Sequence, residues 1–410
     1  MKTVDTIRLL SRLACGLLAF VGVGWSAKPW TLPHYASATD TPYSVHIKTG
    51  IVYGLGATEV HGDKELLMDA YVPTGPGLSS SRKAAIIFVH PGSFWKGGRA
   101  NMADECTHLA RLGVVAFTID YRMQTDSPLV EVPAWQLNTP DSLLPPLRGD
   151  SDLFLRAVNA AYIDTKAALR YVHAHAVELG IDTGNIFLGG GSAGAVAALT
   201  AGVTPSDLYV SDVIGAPIRP ENHPEASMSV RGIVNWSGGL YAELRHLGAE
   251  DPPIMNYHGD LDEIVYLEEA IRIVNRCELV GLDGCELHRS RDSAHLPDDG
   301  APAGNFHSVM TNFVMRHIVS HQPGTAGLTR SFDRPRWTMG PNGSLVLSGL
   351  PESVRKLECV GLDGRAVAVD VSDRNGVWTM RPDAGFSQGV VVRARMANGE
   401  ARTWLVPMFR

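Results

Sequence analysis

The chain has 410 residues, of which 45% are apolar and 19% charged, with a formal net charge of −7. That is more chain than one hydrophobic core usually serves, so two domains are expected, and the composition excludes a disordered protein. No basic excess or basic patch is present, which sets nucleic-acid binding aside.

The first residues read as an export signal. Lys2, Arg8 and Arg12 precede an apolar run from Leu13 to Trp25, shorter than the ~20 residues a membrane-spanning helix needs. Residues 1–27 are therefore expected to be a signal peptide, cleaved after Ser26 or Ala27, of a secreted or cell-surface protein. A membrane-anchored N-terminus is the alternative. Five cysteines are present, and Cys15 leaves with the signal. Cys277 and Cys285 flank a short Gly-containing turn, where a local disulfide and two separate structural thiols both fit. Cys106 and Cys359 read as buried small hydrophobes. No Cys/His spacing resembles a zinc site, so neither a metal nor an organic cofactor is expected.

Residues 28–45 are a Pro-, Ser- and Thr-rich leader, and two strand-like stretches follow between Val45 and Val72. Ala84–His90 is a continuous apolar run of the kind buried parallel strands show. A helix over Asn101–Leu112 leads to a second such run, Val114–Ile119. The prolines at 128, 133, 140, 145 and 146 mark residues 123–155 as an irregular insertion. A helix over Ala157–Leu179 comes next, then a strand at Asn185–Leu188 and a helix from Ala193. Strands at Val230–Trp236, Pro253–His258 and Cys285–Ser290 alternate with helices at Leu267–Leu279 and Asn305–Ser320. Strand alternating with helix predicts an α/β fold, a mostly parallel sheet flanked by helices over 45–321, with its chemistry at the carboxyl ends of the strands. Residues 330–410 lack helical period. Short alternating segments at 344–347, 357–360, 390–394 and 403–406, separated by Gly, Asn and Asp turns, predict a small antiparallel β-sandwich domain.

Three motifs carry chemistry. Gly190-Gly191-Ser192-Ala193-Gly194 is a G-x-S-x-G between an apolar strand and an Ala-rich helix, a turn tight enough to present a serine hydroxyl at the sheet's edge beside a helix N-terminus. His90-Pro91-Gly92-Ser93-Phe94-Trp95 continues from a strand end. Gly92 and Ser93 there can offer backbone N–H groups to an oxyanion, as can Ala193 after the nucleophile, whereas Pro91 has none to give. Downstream come His258-Gly259-Asp260-Leu261-Asp262 and Asp292-Ser293-Ala294-His295-Leu296-Pro297, each just past a strand.

HPGSFWKGG, FTIDYR and GGGSAG together resemble the carboxylesterase and hormone-sensitive-lipase-like branch of the α/β-hydrolases. They are particularly similar to bacterial carbohydrate esterases that deacetylate xylan or release feruloyl groups. The resemblance covers roughly residues 45–320. It implies Ser192 as nucleophile, Asp262 as catalytic acid and His295 as base, with Gly92, Ser93 and Ala193 forming an oxyanion hole. Asp260 and Glu263 are rivals for the acid and His307 for the base, while His288 and His258 are expected to be structural. Asp292 and Ala294 stand where that family usually has two glycines. Asp120-Tyr121-Arg122 and Asp164 match positions expected to form a buried Arg–Asp pair. The implied function is secreted hydrolysis of short acyl or feruloyl esters of plant polysaccharide. A generic short-chain carboxylesterase or lipase-like enzyme, a peptidase, and an inactive hydrolase-fold adhesion module are the alternatives. The last 80 or so residues are loosely similar to β-sandwich sorting domains, which implies secretion machinery or the cell surface as a partner.

Overall fold

The computed structural model describes residues 42–76, 78, 82–140, 142, 144–146, 150–297 and 306–318, together with eight short strands between 336 and 406. The export signal expected at 1–27 lies outside the described residues. Among the described residues no helix is long and apolar enough to cross a membrane.

The apolar runs become the middle of one sheet. β3 (Lys83–Val89), β4 (Val115–Ile119) and β5 (Ile181–Gly191) pair in parallel, and β6 (Ile233–Trp236), β7 (Ile254–Gly259) and β8 (Glu286–Ser290) extend the parallel run on one side. On the other side β1 (Ser44–Thr58) and β2 (Gly62–Thr74) form an antiparallel hairpin, and β2 pairs antiparallel with β4. The eight-stranded order is β1-β2-β4-β3-β5-β6-β7-β8. The jump from β4 back past β3 to β5 is the strand-order reversal at which α/β sheets open a crevice for ligands.

Continuous hydrophobicity in β3 reflects burial on both faces. Ala85, Ile87 and Val89 join a core shared with α3 (Ser151–Ala174), α5 (Ala193–Val203) and Ile273 of α6 (Leu267–Val280). Ala84, Ile86 and Phe88 face the opposite core, against α1 (Ala103–Arg111) and α7 (Phe306–His317). The chain therefore has the helix–sheet–helix layering of the α/β class.

The structure corrects several boundaries. α3 begins at Ser151, inside the segment expected to be irregular, because Asp150 caps it by accepting the Leu153 N–H at 2.9 Å. It ends at Ala174, and α4 (Ala176–Leu179) follows after His175 and stops at Gly180, which is left-handed at φ 65°. The insertion itself holds one helical turn, α2 (Ala134–Leu137). Cys277 and Cys285 are disulfide-bonded, their Cα atoms 6.4 Å apart, tying the end of α6 to the approach of β8.

The C-terminal strands form two four-stranded sheets. One is β13 (Val369–Arg374), β14 (Val377–Pro382), β10 (Leu345–Ser348) and β9 (Arg336–Met339). The other is β12 (Ala366–Val367), β11 (Val354–Gly361), β15 (Val390–Met396) and β16 (Ala401–Val406). Every pairing within them is antiparallel.

Candidate active site

Ser192 joins β5 to α5 at φ 53°. A non-glycine residue held in that region costs on the order of 1–3 kcal/mol. The turn closes only because its neighbours lack side chains. A Cβ on Gly190 would overlap the Gly194 backbone, and one on Gly194 would overlap the Val89 and His90 carbonyls. The Ser192 N–H donates to the Trp236 carbonyl of β6 at 2.8 Å, which fixes the turn to the sheet.

His295 reaches this serine from the loop after β8. Its Nε2 is 2.8 Å from Ser192 Oγ and its Nδ1 is 2.7 Å from Asp262 Oδ2. An ionised carboxylate only accepts, so Nδ1 carries the proton and the Nε2 lone pair faces the serine hydroxyl. The histidine loop is strained on both sides of the imidazole, with Asp292 at φ 56° and Leu296 at φ 52°. Asp292 thus takes the left-handed conformation that glycine adopts freely, at one of the two positions where the resembled family usually has glycine. Ser237 Oγ accepts the Leu296 N–H at 3.2 Å, and the Trp236 indole donates to the Pro297 carbonyl at 3.1 Å.

Asp262 follows β7 and is 4% exposed. Its Oδ1 accepts the Ile264 and Val265 N–H groups at 2.9 and 3.0 Å. Burial alone pushes the carboxyl up, but hydrogen bonds from His258 and His295 and from the Ile264 N–H hold it well below the usual carboxylate range. His258 Nε2 lies 2.7 Å from the Val265 carbonyl and 3.2 Å from Asp262 Oδ2. Both are acceptors, so this nitrogen donates to both. The acid and histidine loops interlock, with Leu261 N–H donating to Ser293 O at 2.9 Å and Asp260 N–H to Ser290 O at 3.0 Å.

The loop after β3 is equally constrained. Gly92, Ser93 and Phe94 lie at φ 135°, 56° and 58°, and the Gly92 carbonyl accepts the Trp95 and Lys96 N–H groups at 3.0 and 3.1 Å. A Cβ on Gly92 would overlap the Lys96 carbonyl. Ala193 is the first residue of α5, where a backbone N–H has no acceptor within its own helix. His90, buried beneath the loop, stacks on Tyr121 at 4.3 Å and holds its Nδ1 2.8 Å from Pro91 O.

The rival acids and bases, Asp260, Glu263, His288 and His307, lie outside this relay. Asp260 pairs with Arg289 at 2.8 Å, and Glu263 is exposed. His307 stacks on His108 at 4.5 Å, and His288 lies 3.0 Å from Glu286. The buried pair expected near Asp120 is Arg122–Asp164, at 2.7 Å, with Asp212 adding a second contact to Arg122 at 2.8 Å. Ser237 and the contact from His258 to Asp262 were not foreseen from sequence. A histidine four residues before the acid was the only signal for the last. Of ten non-glycine residues at positive φ among the described residues, seven lie on these loops or just beyond β6: Ser93, Phe94, Ser192, Ser237, Tyr241, Asp292 and Leu296. Such concentration is typical of active sites. Among the described residues no group of three or more His, Cys, Asp or Glu side chains could hold a metal ion.

Residues 156–241 match the BD-FAE family model. No curated protein matches the chain. Among solved structures, the chain is similar to esterase 2 of Thermogutta terrifontis phosphorylated by paraoxon, at 20% identity over 68% of this chain and 92% of that one, with a TM-score of 0.46. The butyrate-bound form of that Planctomycetes esterase gives the same identity and coverage with a TM-score of 0.47. A truncated carbohydrate esterase from gut microbiota is similar at 19% identity over 68% of this chain and 98% of that one, with a TM-score of 0.49. The strand order and the strained serine turn between β5 and α5 give the chain an α/β-hydrolase fold, and the BD-FAE match spans that turn, from α3 to just beyond β6.

Proposed function

We propose that the chain is a serine esterase in which Ser192, His295 and Asp262 form the catalytic triad. The observation that carries this reading is the imidazole of His295, placed 2.8 Å from the serine hydroxyl and 2.7 Å from a buried carboxylate. As Ser192 Oγ bonds to the ester carbonyl carbon, its proton passes to His295 Nε2 and the carbonyl π electrons move to oxygen. The N–H groups of Gly92, Ser93 and Ala193 hold that oxyanion, and Asp262 stabilises the imidazolium. The carbon–oxygen bond to the alcohol then breaks as His295 protonates the leaving oxygen. Water repeats the sequence on the acyl-enzyme, releasing the acid and restoring Ser192.

The substrate class in this proposal is short acyl or feruloyl esters, including those on plant polysaccharide. Export by residues 1–27, a catalytic unit over 45–321 and surface attachment or sorting by 330–410 belong to the same proposal. Hydrolysis of p-nitrophenyl acetate, compared between the wild type and Ser192→Ala, tests it. The expected result is turnover in the wild type and none above background in the variant. Equal rates in both would overturn it.

A further inference from the structure

β6 ends in a turn that is bonded to both of the segments the proposed chemistry brings together. The Trp236 carbonyl accepts the Ser192 N–H at 2.8 Å, so this turn holds the nucleophile from one side. The Trp236 indole N–H donates to the Pro297 carbonyl at 3.1 Å, and the Ser237 hydroxyl accepts the Leu296 N–H at 3.2 Å. Leu296 and Pro297 are the two residues directly after His295. Leu296 also lies over the serine turn, its Cδ2 3.3 Å from where a Cβ on Gly191 would stand.

The turn is held from every side. Asn235, fully buried, accepts the Gly238 N–H at 2.8 Å and donates to the Gly238 carbonyl at 3.2 Å and to Asn256 of β7 at 2.8 Å. The Ser237 N–H donates at 3.0 Å to the carbonyl of Tyr257, the residue before His258. A Cβ on Gly238 would overlap Ala195 of α5, and the Trp236 indole stacks on Phe306 of α7 at 4.3 Å. Ser237 is fully buried and sits at φ 53°, a conformation that glycine adopts without strain. A strained serine where glycine would be easier points to a use for its hydroxyl, and the contact it makes is with the amide beside the proposed base.

We infer that Ser237 is a positioning residue for His295: by holding the Leu296 amide it keeps the imidazole within reach of Ser192 Oγ, with Trp236 as the second point of attachment. The inference rests on the esterase reading above and adds to it what sets the separation of nucleophile and base. Because the same turn carries the Ser192 N–H, loop and nucleophile share one frame. Freeing the loop lets the imidazole shift against a serine that stays in place, and a displacement of about 1 Å can cost about a hundredfold in rate.

The test compares Ser237→Gly, which removes the hydroxyl and relieves the strain, with Ser237→Ala, which removes the hydroxyl alone, in the full chain. Both are expected to lower kcat about tenfold to a hundredfold, by the same factor for p-nitrophenyl acetate and p-nitrophenyl butyrate, with KM little changed. The glycine variant is expected to melt at the higher temperature of the two, so that activity does not follow stability. In a His295→Ala background Ser237→Gly is expected to slow fluorophosphonate labelling of Ser192 no further, since its effect passes through the imidazole. Wild-type kcat in both variants, a loss confined to KM, activity that follows the melting temperature, or further slowing without His295 overturns the inference and leaves the esterase reading standing. A wild type that cleaves neither ester sinks both.

Discussion

His258 lies 3.2 Å from Oδ2 of Asp262, the same oxygen that meets the imidazole of His295 at 2.7 Å. The carboxylate is thus held by two histidines and two backbone N–H groups rather than by His295 alone. In the proposed mechanism His258 touches no reacting atom and acts as a positioning residue. His258→Gln is expected to lower kcat by roughly tenfold or more through loss of a charge-assisted hydrogen bond, with KM little changed. Steady-state kinetics at pH 7 check this, and a change confined to KM would contradict it.

The same contacts make a statement about acid stability. The folded-state pKa of Asp262 is depressed, because bonds to its charged form outweigh the cost of burial. Its stabilising contribution is therefore fully present above the ordinary aspartate value of about 3.9 and is lost as pH falls toward the lower folded value. The difference in thermal midpoint between wild type and Asp262→Asn is expected to be constant near neutrality and to shrink below about pH 4. A difference that grows as pH falls would reverse the sign and refute the assignment.

Gly259 ends β7 where the histidine loop crosses it. A Cβ there would overlap the Ala294 and Ser293 carbonyls, which are backbone and cannot swing aside. Gly259→Ala must push the His295 loop away from Ser192. Misplacing a catalytic group by about 1 Å can cost about a hundredfold in rate. The expected outcome is a loss of that order in kcat/KM with the circular dichroism spectrum retained.

Arg122 is fully buried, and its guanidinium binds Asp164 and Asp212 while its backbone N–H bonds Asp164 at 2.8 Å. Removing the cation strands a buried carboxylate. Arg122→Met is expected to lose about 3–5 kcal/mol of stability in denaturant unfolding, and the double variant Arg122→Met/Asp164→Leu to lose less. A double variant worse than the single would show that the pair acts through something other than charge compensation.

Much of this was legible because a physical requirement wrote itself into residue types. β3 and β4 read as unbroken apolar runs because both of their faces are buried. The small residues around Ser192 are legible because backbone atoms occupy the space where side chains would be. Other features leave weaker marks. Asp150 caps α3 just beyond a proline-rich segment, so the helix start was hidden by the texture before it. Asp292 occupies a left-handed position that glycine would have announced. Pairing of Cys277 with Cys285 depends on where α6 delivers its end relative to β8, and spacing alone does not encode that. The strain at Tyr241 comes from the tertiary surroundings of an ordinary-looking LYAEL segment.

The relay from Asp262 through His295 to Ser192 is tested most directly by peptide mass spectrometry after brief exposure to a fluorophosphonate, which adds covalently to an activated serine. The account predicts a single adduct on the peptide containing Ser192, with labelling slowed at least a hundredfold in His295→Ala, in line with the ~10²–10⁴-fold contribution of a general base. Labelling of another residue, or an unchanged rate without the imidazole, would contradict it.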